Sequence, residues 1–305
     1  MAEAQPPCPP APGRPPSVTV LMPVYNGGPY LAAAVQSILD QDYTDFEFLI
    51  IDDGSTDGSS ALLRDFARRD DRIRLVPREN RGLVPTLNEG IDLARAPLIA
   101  RMDADDIAFP RRLGAQVAFM AAHPQVVCAG TGLEIIDDHS RRITRIPVAT
   151  DNPRIQELAL AGRTPICHPT AMMRREAVLA VGKYDPEMML AEDLDLWLRL
   201  GEVGQLANIP GALLQYRMHG KSVSESAGQK QIERMRLACT RAGERRNVAI
   251  PFEAETPWRP GDDATSRHAF ALKYGWWAFN SGERRTALVY GCKAIAARPL
   301  SPEGW

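Results

Sequence analysis

Residues 46–57 read FEFLIIDDGSTD. Phe46 to Ile51 form a short apolar run with β-branched members, the pattern of a buried strand. The run ends abruptly in Asp52, Asp53, Gly54 and Ser55. The same arrangement recurs on both sides of it. Upstream, Val18 to Met22 reads as a strand stopped by Pro23, and polar residues follow at Tyr25 and Asn26. Leu31, Val35, Ile38 and Leu39 then recur at helical spacing. Downstream, Leu62, Leu63, Phe66 and Ala67 mark a helix, Ile73 to Val76 a strand, and Leu83, Leu87, Ile91 and Ala94 another helix. A strand over Pro97 to Arg101 leads into Met102-Asp103-Ala104-Asp105-Asp106, followed by a helix with Leu113, Val117 and Met120 and a strand over Val126 to Ala129.

Strand and helix alternating at this spacing predict an α/β fold, a doubly wound and mostly parallel sheet flanked by helices. Such sheets bind ligands at the carboxyl ends of their strands. Each polar cluster begins where an apolar strand stops, so three segments distant in sequence are expected to meet in one cleft. The pattern loosens after Asp151: helices are expected near Ile155 to Ala161 and Leu194 to Leu200, and strands over Thr170 to Met173 and Leu213 to Arg217. From Gln229 the chain reads as helical. His268 to Arg298 has the form of a helical hairpin turning at Ser281-Gly282, like a single tetratricopeptide-type unit.

The 305 residues are 45% hydrophobic and 24% charged, ordinary for a globular protein. A net charge of −2 supplies no global attraction to nucleic acid. The five cysteines are scattered without a CxxC pair, which fits a reducing cytosol and disfavours a structural zinc site. No run approaches the roughly 20 apolar residues of a membrane span. The proline-dense segment 1–16 reads as a disordered arm.

Three acidic clusters carry candidate chemistry. Asp103 and Asp105 flank Ala104 at a strand end, where alternation would turn both carboxylates to one face and leave Asp106 turned away or capping the next helix. Hard oxygen donors of this kind suit Mg²⁺ or Mn²⁺; the plain alternative is a loop of capping aspartates. Asp52 and Asp53 suit hydrogen bonds to a base or ribose, while Ser55, Thr56 or Asp57 suits a helix cap. Glu192 and Asp193 precede a helix, where a carboxylate serves as a cap or as a general base; Asp195 reads as a polar helix position. His168 reads as a structural hydrogen-bonder. Arg217, His219 and Lys221 would bring cationic or metal-binding groups near a diphosphate, with Gly220 loosening that loop as a lid requires.

Taken together, SVTVLMPVYN, FEFLIIDDGSTDGS, NRGLVPTLNEG, ARMDADDIAFPRRL, HPTAMMRR, AEDLDLWLRL and YRMHGKSVS, in this order over about residues 17–225, resemble glycosyltransferase family 2. The resemblance implies an inverting enzyme of GT-A fold; the segment 226–305, which reads as a helical extension, lies outside it. It implies that Pro23, Tyr25 and Asn26 line a nucleotide pocket, that Asp53 binds the base with Asp52 in support, and that Arg81 lies in a donor-side loop. Asp103 and Asp105 would be the acidic members of a DxD motif around Ala104, with Asp105 the direct metal ligand. Asp193, beside Glu192, would be the catalytic base, and His219 would touch metal or diphosphate. The implied partners are a nucleoside diphosphate sugar, a UDP-sugar foremost, Mn²⁺ or Mg²⁺, and a saccharide or lipid-linked acceptor.

Two rival classes are a sugar-phosphate nucleotidyltransferase, disfavoured because no glycine-rich phosphate loop follows the first strand, and a non-catalytic binding protein that retains the fold. The stretch with Lys230, Arg234, Arg236, Arg241, Arg245 and Arg246 reads first as a solvated helix face and second as a contact for the cytoplasmic membrane face. Tyr274, Trp276, Trp277 and Phe279 are expected to pack the hairpin onto the main domain.

Overall fold

The computed structural model describes residues 14–219, 228–253, 263–299 and 301. The proline-dense arm up to Gly13 and the expected lid residues Gly220 and Lys221 lie outside them. The first half alternates as the periodicity requires: β1 (Val18–Val24), α1 (Leu31–Leu39), β2 (Phe46–Asp53), α2 (Ser59–Arg69), β3 (Ile73–Arg78), α3 (Leu83–Leu93) and β4 (Leu98–Arg101). Then come β5 (Ile107–Ala108), α4 (Arg112–Ala122), β6 (Val126–Ile136), β7 (Arg142–Ile146), α5 (Asn152–Leu160), β8 (Met172–Arg174), α6 (Arg175–Ala180), α7 (Glu192–Val203) and β9 (Gln205–Arg217). Helices α8 (Gly228–Arg246), α9 (Ala264–Asn280) and α10 (Arg284–Ala297) close the chain.

The strands form one sheet in the order β3-β2-β1-β4-β8-β6-β9-β5, with β7 beside β6. β1 runs parallel to both β2 and β4, and β2 parallel to β3. Beyond β4 the sheet is mixed: β8 is antiparallel to β4 and β6, β9 is parallel to β6, and β5 is antiparallel to β9. The first four strands are therefore all parallel, and beyond them only the β6–β9 pair is. The direction of winding reverses between β1 and β4, and that crevice is where such sheets bind ligands. Pro23 does not stop the first strand. β1 continues through Val24, because a proline without an N–H still allows its carbonyl side to pair.

The period-2 alternation decides which helix covers which face. Val18, Val20, Met22, Phe46, Phe48 and Ile50 pack with Leu31, Val35, Leu63 and Leu113. Leu21, Leu49 and Ile51 point the other way, onto Val84, Leu87, Ile91 and Trp197. Both faces of β1 and β2 are thus dry, which holds their C-terminal ends in fixed positions. Gly54, just past β2, has φ +79°, and a Cβ there would stand 2.7 Å from the backbone nitrogen of Asn80. Gly54→Ala is expected to cost about 2 kcal/mol or more, from the left-handed backbone and the clash together. Chemical denaturation would read this as a lowered midpoint with unchanged slope.

The C-terminal helices dock at two places. Met235, Ala238, Cys239 and Ala242 of α8 bury against Ala159, Leu194 and Leu198. Among the described residues, three of its six basic residues are in ion pairs: Arg241 pairs with Asp185 and Glu187, and Arg245 and Arg246 pair with Glu202. The antiparallel pair α9 and α10 packs Tyr274, Ala278, Tyr290 and Ala294 onto Leu133, Ile135 and Ile143 of β6 and β7. Of the aromatics expected to pack this hairpin down, Tyr274 and Trp277 do so, whereas Trp276 and Phe279 face solvent. Among the described residues no helix is long and apolar enough to cross a membrane.

Candidate active site

The loops that follow β1, β2 and β3 are laced together. Ser55 Oγ accepts from the Asn26 N–H at 2.9 Å, and Asn26 Oδ1 accepts from the Thr56 N–H at 2.8 Å. Asn26 adopts φ +50°, a conformation asparagine tolerates better than most residues. Asp57 receives the Gly28 N–H at 3.0 Å and the Ser59 N–H at 3.0 Å, so it links the first loop to the start of α2. Tyr25 stands 55% exposed at the rim of this surface.

Asp52 and Asp53 are both buried. Asp52 accepts from the Ser55 N–H at 3.1 Å and from the Ser60 hydroxyl. Asp53 accepts from the Arg81 N–H and the Gly82 N–H, each at 2.9 Å, and pairs with Arg78 at 3.0 Å. The sequence reading assigned these carboxylates to a base. In the structure their oxygens hold the loops that follow β2 and β3, and the Arg81 side chain is largely exposed.

β4 ends at Arg101, so Met102 to Asp106 is a bend rather than a strand. The bend, not strand alternation, gathers the carboxylates: Asp103, Asp105 and Asp106 each offer an oxygen within 4.8 Å of the others. Asp106 neither turns outward nor caps α4, whose N-cap is Arg111. It is buried; one oxygen accepts from the Arg217 N–H at 2.8 Å, and its Oδ2 is buried without a hydrogen-bond partner. Burial, with the carboxylates of Asp105 and Asp103, pushes its pKa well above the ordinary range. Ala104 packs its methyl against the core below the bend. His219 Nε2 lies 2.8 Å from Asp105 Oδ2, and its ring stands 5.0 Å from that of Tyr30.

Arg217 does not face outward toward a diphosphate. It is buried, and its guanidinium donates to the Asp105 carbonyl at 2.8 Å, the Asp137 carbonyl at 2.9 Å and Ser140 Oγ at 2.9 Å. The Tyr30 ring lies 4.5 Å beneath it. It therefore clamps the acidic bend from behind. Arg217→Met is expected to lower stability by about 3 kcal/mol, because buried acceptors lose a charged donor. Thermal unfolding would read it; a midpoint unchanged within error would refute the clamp.

Glu192 and Asp193 form the first turn of α7, in the helix's positive end. Leu190, just before them, sits at φ +83°, a strained conformation for a leucine, and its N–H is held by Glu192 Oε2 at 2.7 Å. Asp193 accepts from the Leu194 N–H at 2.7 Å. Burial first, and the neighbouring Glu192 carboxylate second, raise the Asp193 pKa to about 7. Asp195 is buried and paired with Arg199 at 2.9 Å, a structural partner within the helix.

Sequence reasoning missed Arg101. It is buried, bonded to Asp103 and within electrostatic reach of Asp106, Glu192 and Asp193. Burial opposes its charge, but Asp103 holds its pKa above the ordinary value, so one fixed cation sits among both groups of acids. The signal was available: an arginine closing the apolar strand Leu98-Ile99-Ala100 is rarely buried without anionic partners. His168, read as structural, is buried with its Nε2 at 2.7 Å from the Tyr184 hydroxyl, and burial keeps its pKa well below the ordinary value.

The profile of glycosyl transferase family 2 matches residues 19–182. EpsE of Bacillus subtilis, described as a glycosyltransferase, is 39% identical over 193 residues, covering 62% of this chain and 68% of its own length. The O-antigen biosynthesis glycosyltransferase WbnJ of Escherichia coli is 32% identical over 214 residues, covering 69% of this chain and 83% of its own. Among solved structures, S. aureus TarS residues 1–349 with UDP-GlcNAc superposes with a TM-score of 0.60 at 17% identity, over 92% of this chain and 79% of that one. The mannosyltransferase PcManGT of Pyrobaculum calidifontis, solved with GDP-Man and Mn²⁺, gives 0.56 at 19% identity, over 96% and 79%. The architecture is the GT-A fold of these neighbours.

Proposed function

The chain belongs to glycosyl transferase family 2 and is a glycosyltransferase, and we propose that it moves a sugar from a nucleoside diphosphate sugar to an acceptor hydroxyl with inversion at the anomeric carbon. One observation carries this reading: a carboxylate poised near neutrality, Asp193, and a separate acidic triad are brought together around the buried Arg101. Proton removal and leaving-group chemistry are thereby given to different carboxylates. The nucleotide sugars bound by the structural neighbours support a donor of the same class. The exposed ring of Tyr25 supports stacking on a base, with Asp53 acting on the base through the Arg81-Gly82 loop that it fixes.

The triad's chemistry fits a divalent cation. Its donors are hard oxygens, and Asp106 Oδ2 is buried with no partner of its own. Asp103, Asp105 and Asp106 would hold Mn²⁺ or Mg²⁺, with His219 against Asp105 on the outer side. When bound, the ion stabilises the charge that develops on the departing diphosphate. Asp193 takes the proton from the acceptor hydroxyl, which attacks the face opposite the leaving group; an α-linked donor then gives a β-linked product. The relative named for O-antigen biosynthesis supports an acceptor that is a growing saccharide, free or lipid-linked.

Two measurements test the reading. A thermal-shift screen of nucleoside diphosphates with and without Mn²⁺ is expected to show stabilisation that needs both, since a ligand of the native state raises the midpoint by mass action. With the donor so found, log kcat is expected to rise with pH and level off above about 7, because a base works only when deprotonated and Asp193 loses its proton there. A profile flat from about pH 5 to 9 would assign proton transfer to another group. No nucleotide effect at all would leave a binding fold without catalysis.

A further inference from the structure

The α9–α10 hairpin buries one side and leaves the other bare. Tyr274 and Trp277 turn into the core with Ala271 and Ala278, so Trp276 and Phe279 fall on the opposite side at helical spacing. Trp276 is 62% exposed, Phe279 60% and Leu288 of α10 71%, the largest exposures among the bulky apolar residues described. The Trp276 and Phe279 rings meet edge to face at 5.8 Å. All three residues lie close to the turn at Ser281-Gly282.

Two arginines share this end. Arg284 and Arg285 open α10, both exposed and neither in an ion pair among the described residues. Cations at a helix N-terminus oppose the helix dipole, so folding supplies no reason for them. The nearest acid, Glu283, is taken by Arg142 at 2.7 Å. The end of the hairpin is therefore positive, although the whole chain carries −2. It is also held in place: Ser281 bonds Thr144 at 2.8 Å, and the Glu283–Arg142 pair ties it to β7.

From this arrangement we propose that the turn end of the α9–α10 hairpin is a docking surface for an anionic lipid bilayer. Trp276, Phe279 and Leu288 would insert at the headgroup level while Arg284 and Arg285 meet lipid phosphates. Aromatic and aliphatic anchors beside unpaired arginines match the chemistry of that interface. A second copy of the chain is the poorer occupant, since a two-fold contact would set the arginine pairs against each other. The basic stretch of α8, suggested by its sequence, is less suited because Arg241, Arg245 and Arg246 are paired to Asp185, Glu187 and Glu202 and Arg236 lies over the Phe252 ring. The inference is independent of the donor proposed above.

Co-sedimentation of the full chain with vesicles tests it. The wild type is expected to partition at least about tenfold more onto vesicles containing phosphatidylglycerol than onto pure phosphatidylcholine, less so at high salt. Trp276→Ser with Phe279→Ser, and separately Arg284→Glu with Arg285→Glu, are each expected to reduce that binding about tenfold or more. All four positions are exposed, so unfolding midpoints should stay near wild type and confirm intact folds. Equal partition onto both vesicle types would overturn the proposal. So would anionic binding that survives both double variants, or a concentration-dependent dimer abolished by the aromatic pair.

Discussion

Asp193→Asn is expected to lower turnover by about 10²–10⁴-fold with donor affinity nearly unchanged, the magnitude general-base catalysis ordinarily supplies. The substitution removes a proton acceptor and little else: Asn keeps the shape and can still receive the Leu194 N–H. Stability provides a second readout. Burial raises the folded pKa of Asp193 to about 7, above its unfolded value. The folded state therefore favours the protonated form. The contribution of Asp193 to stability is highest below the ordinary carboxylate pKa and falls as pH rises from there through about 7. Asparagine has no charge to bury, so the variant should melt above the wild type at alkaline pH and near it in acid. Loss of turnover with that gain in melting temperature is the signature of a desolvated base. Turnover retained within a few-fold would refute the assignment.

Asp105→Ala is expected to abolish the Mn²⁺-dependent part of nucleoside diphosphate binding and to cut turnover by about 10³-fold or more, several kcal/mol of charge stabilisation being lost. Its main-chain carbonyl, which Arg217 grips, is untouched by the change, so the bend itself should persist. Calorimetric titration with UDP or GDP, with and without Mn²⁺, separates the effects. The variant should lose the difference between the two titrations and keep a weak metal-independent component from Tyr25 and the neighbouring loops. Full wild-type turnover in excess chelator would show that the triad serves another purpose.

Regular periodicity made the first half of the molecule legible. α1 spans Leu31–Leu39, as its apolar spacing predicts, and β1 to β4 place the polar clusters at one edge. Irregular backbone hid the rest. β9 is 13 residues long, but Pro210 and Gly211 interrupt its pattern and only Leu213 to Arg217 read as strand. The strand survives because its pairing with β6 shifts register at Gly132, where a Cβ would meet the Pro210 carbonyl at 2.7 Å. The roles of Arg217 and Asp106 were hidden for a related reason. Their bond joins residues 111 positions apart, and no local pattern reports a contact of that range. From the residues alone Asp193 reads as one of two carboxylates at a helix start, and only the family resemblance singles it out; that Asp195 is tied to Arg199 is supplied by the fold.

The late arrival of β9 has a consequence in time. Asp103 to Asp106 leave the ribosome about a hundred residues before Arg217, and until then the bend lacks its clamp. β9 must thread between β6 and β5, parallel to a partner far back in the sequence, and contacts of that range form slowly. Until then the acidic bend has no Arg217 to hold it, and a chain truncated before Gln205 is expected to bind Mn²⁺ more weakly than the full chain. On the proposed reading, a chain that stops short of this strand would have no means of spending nucleotide sugar.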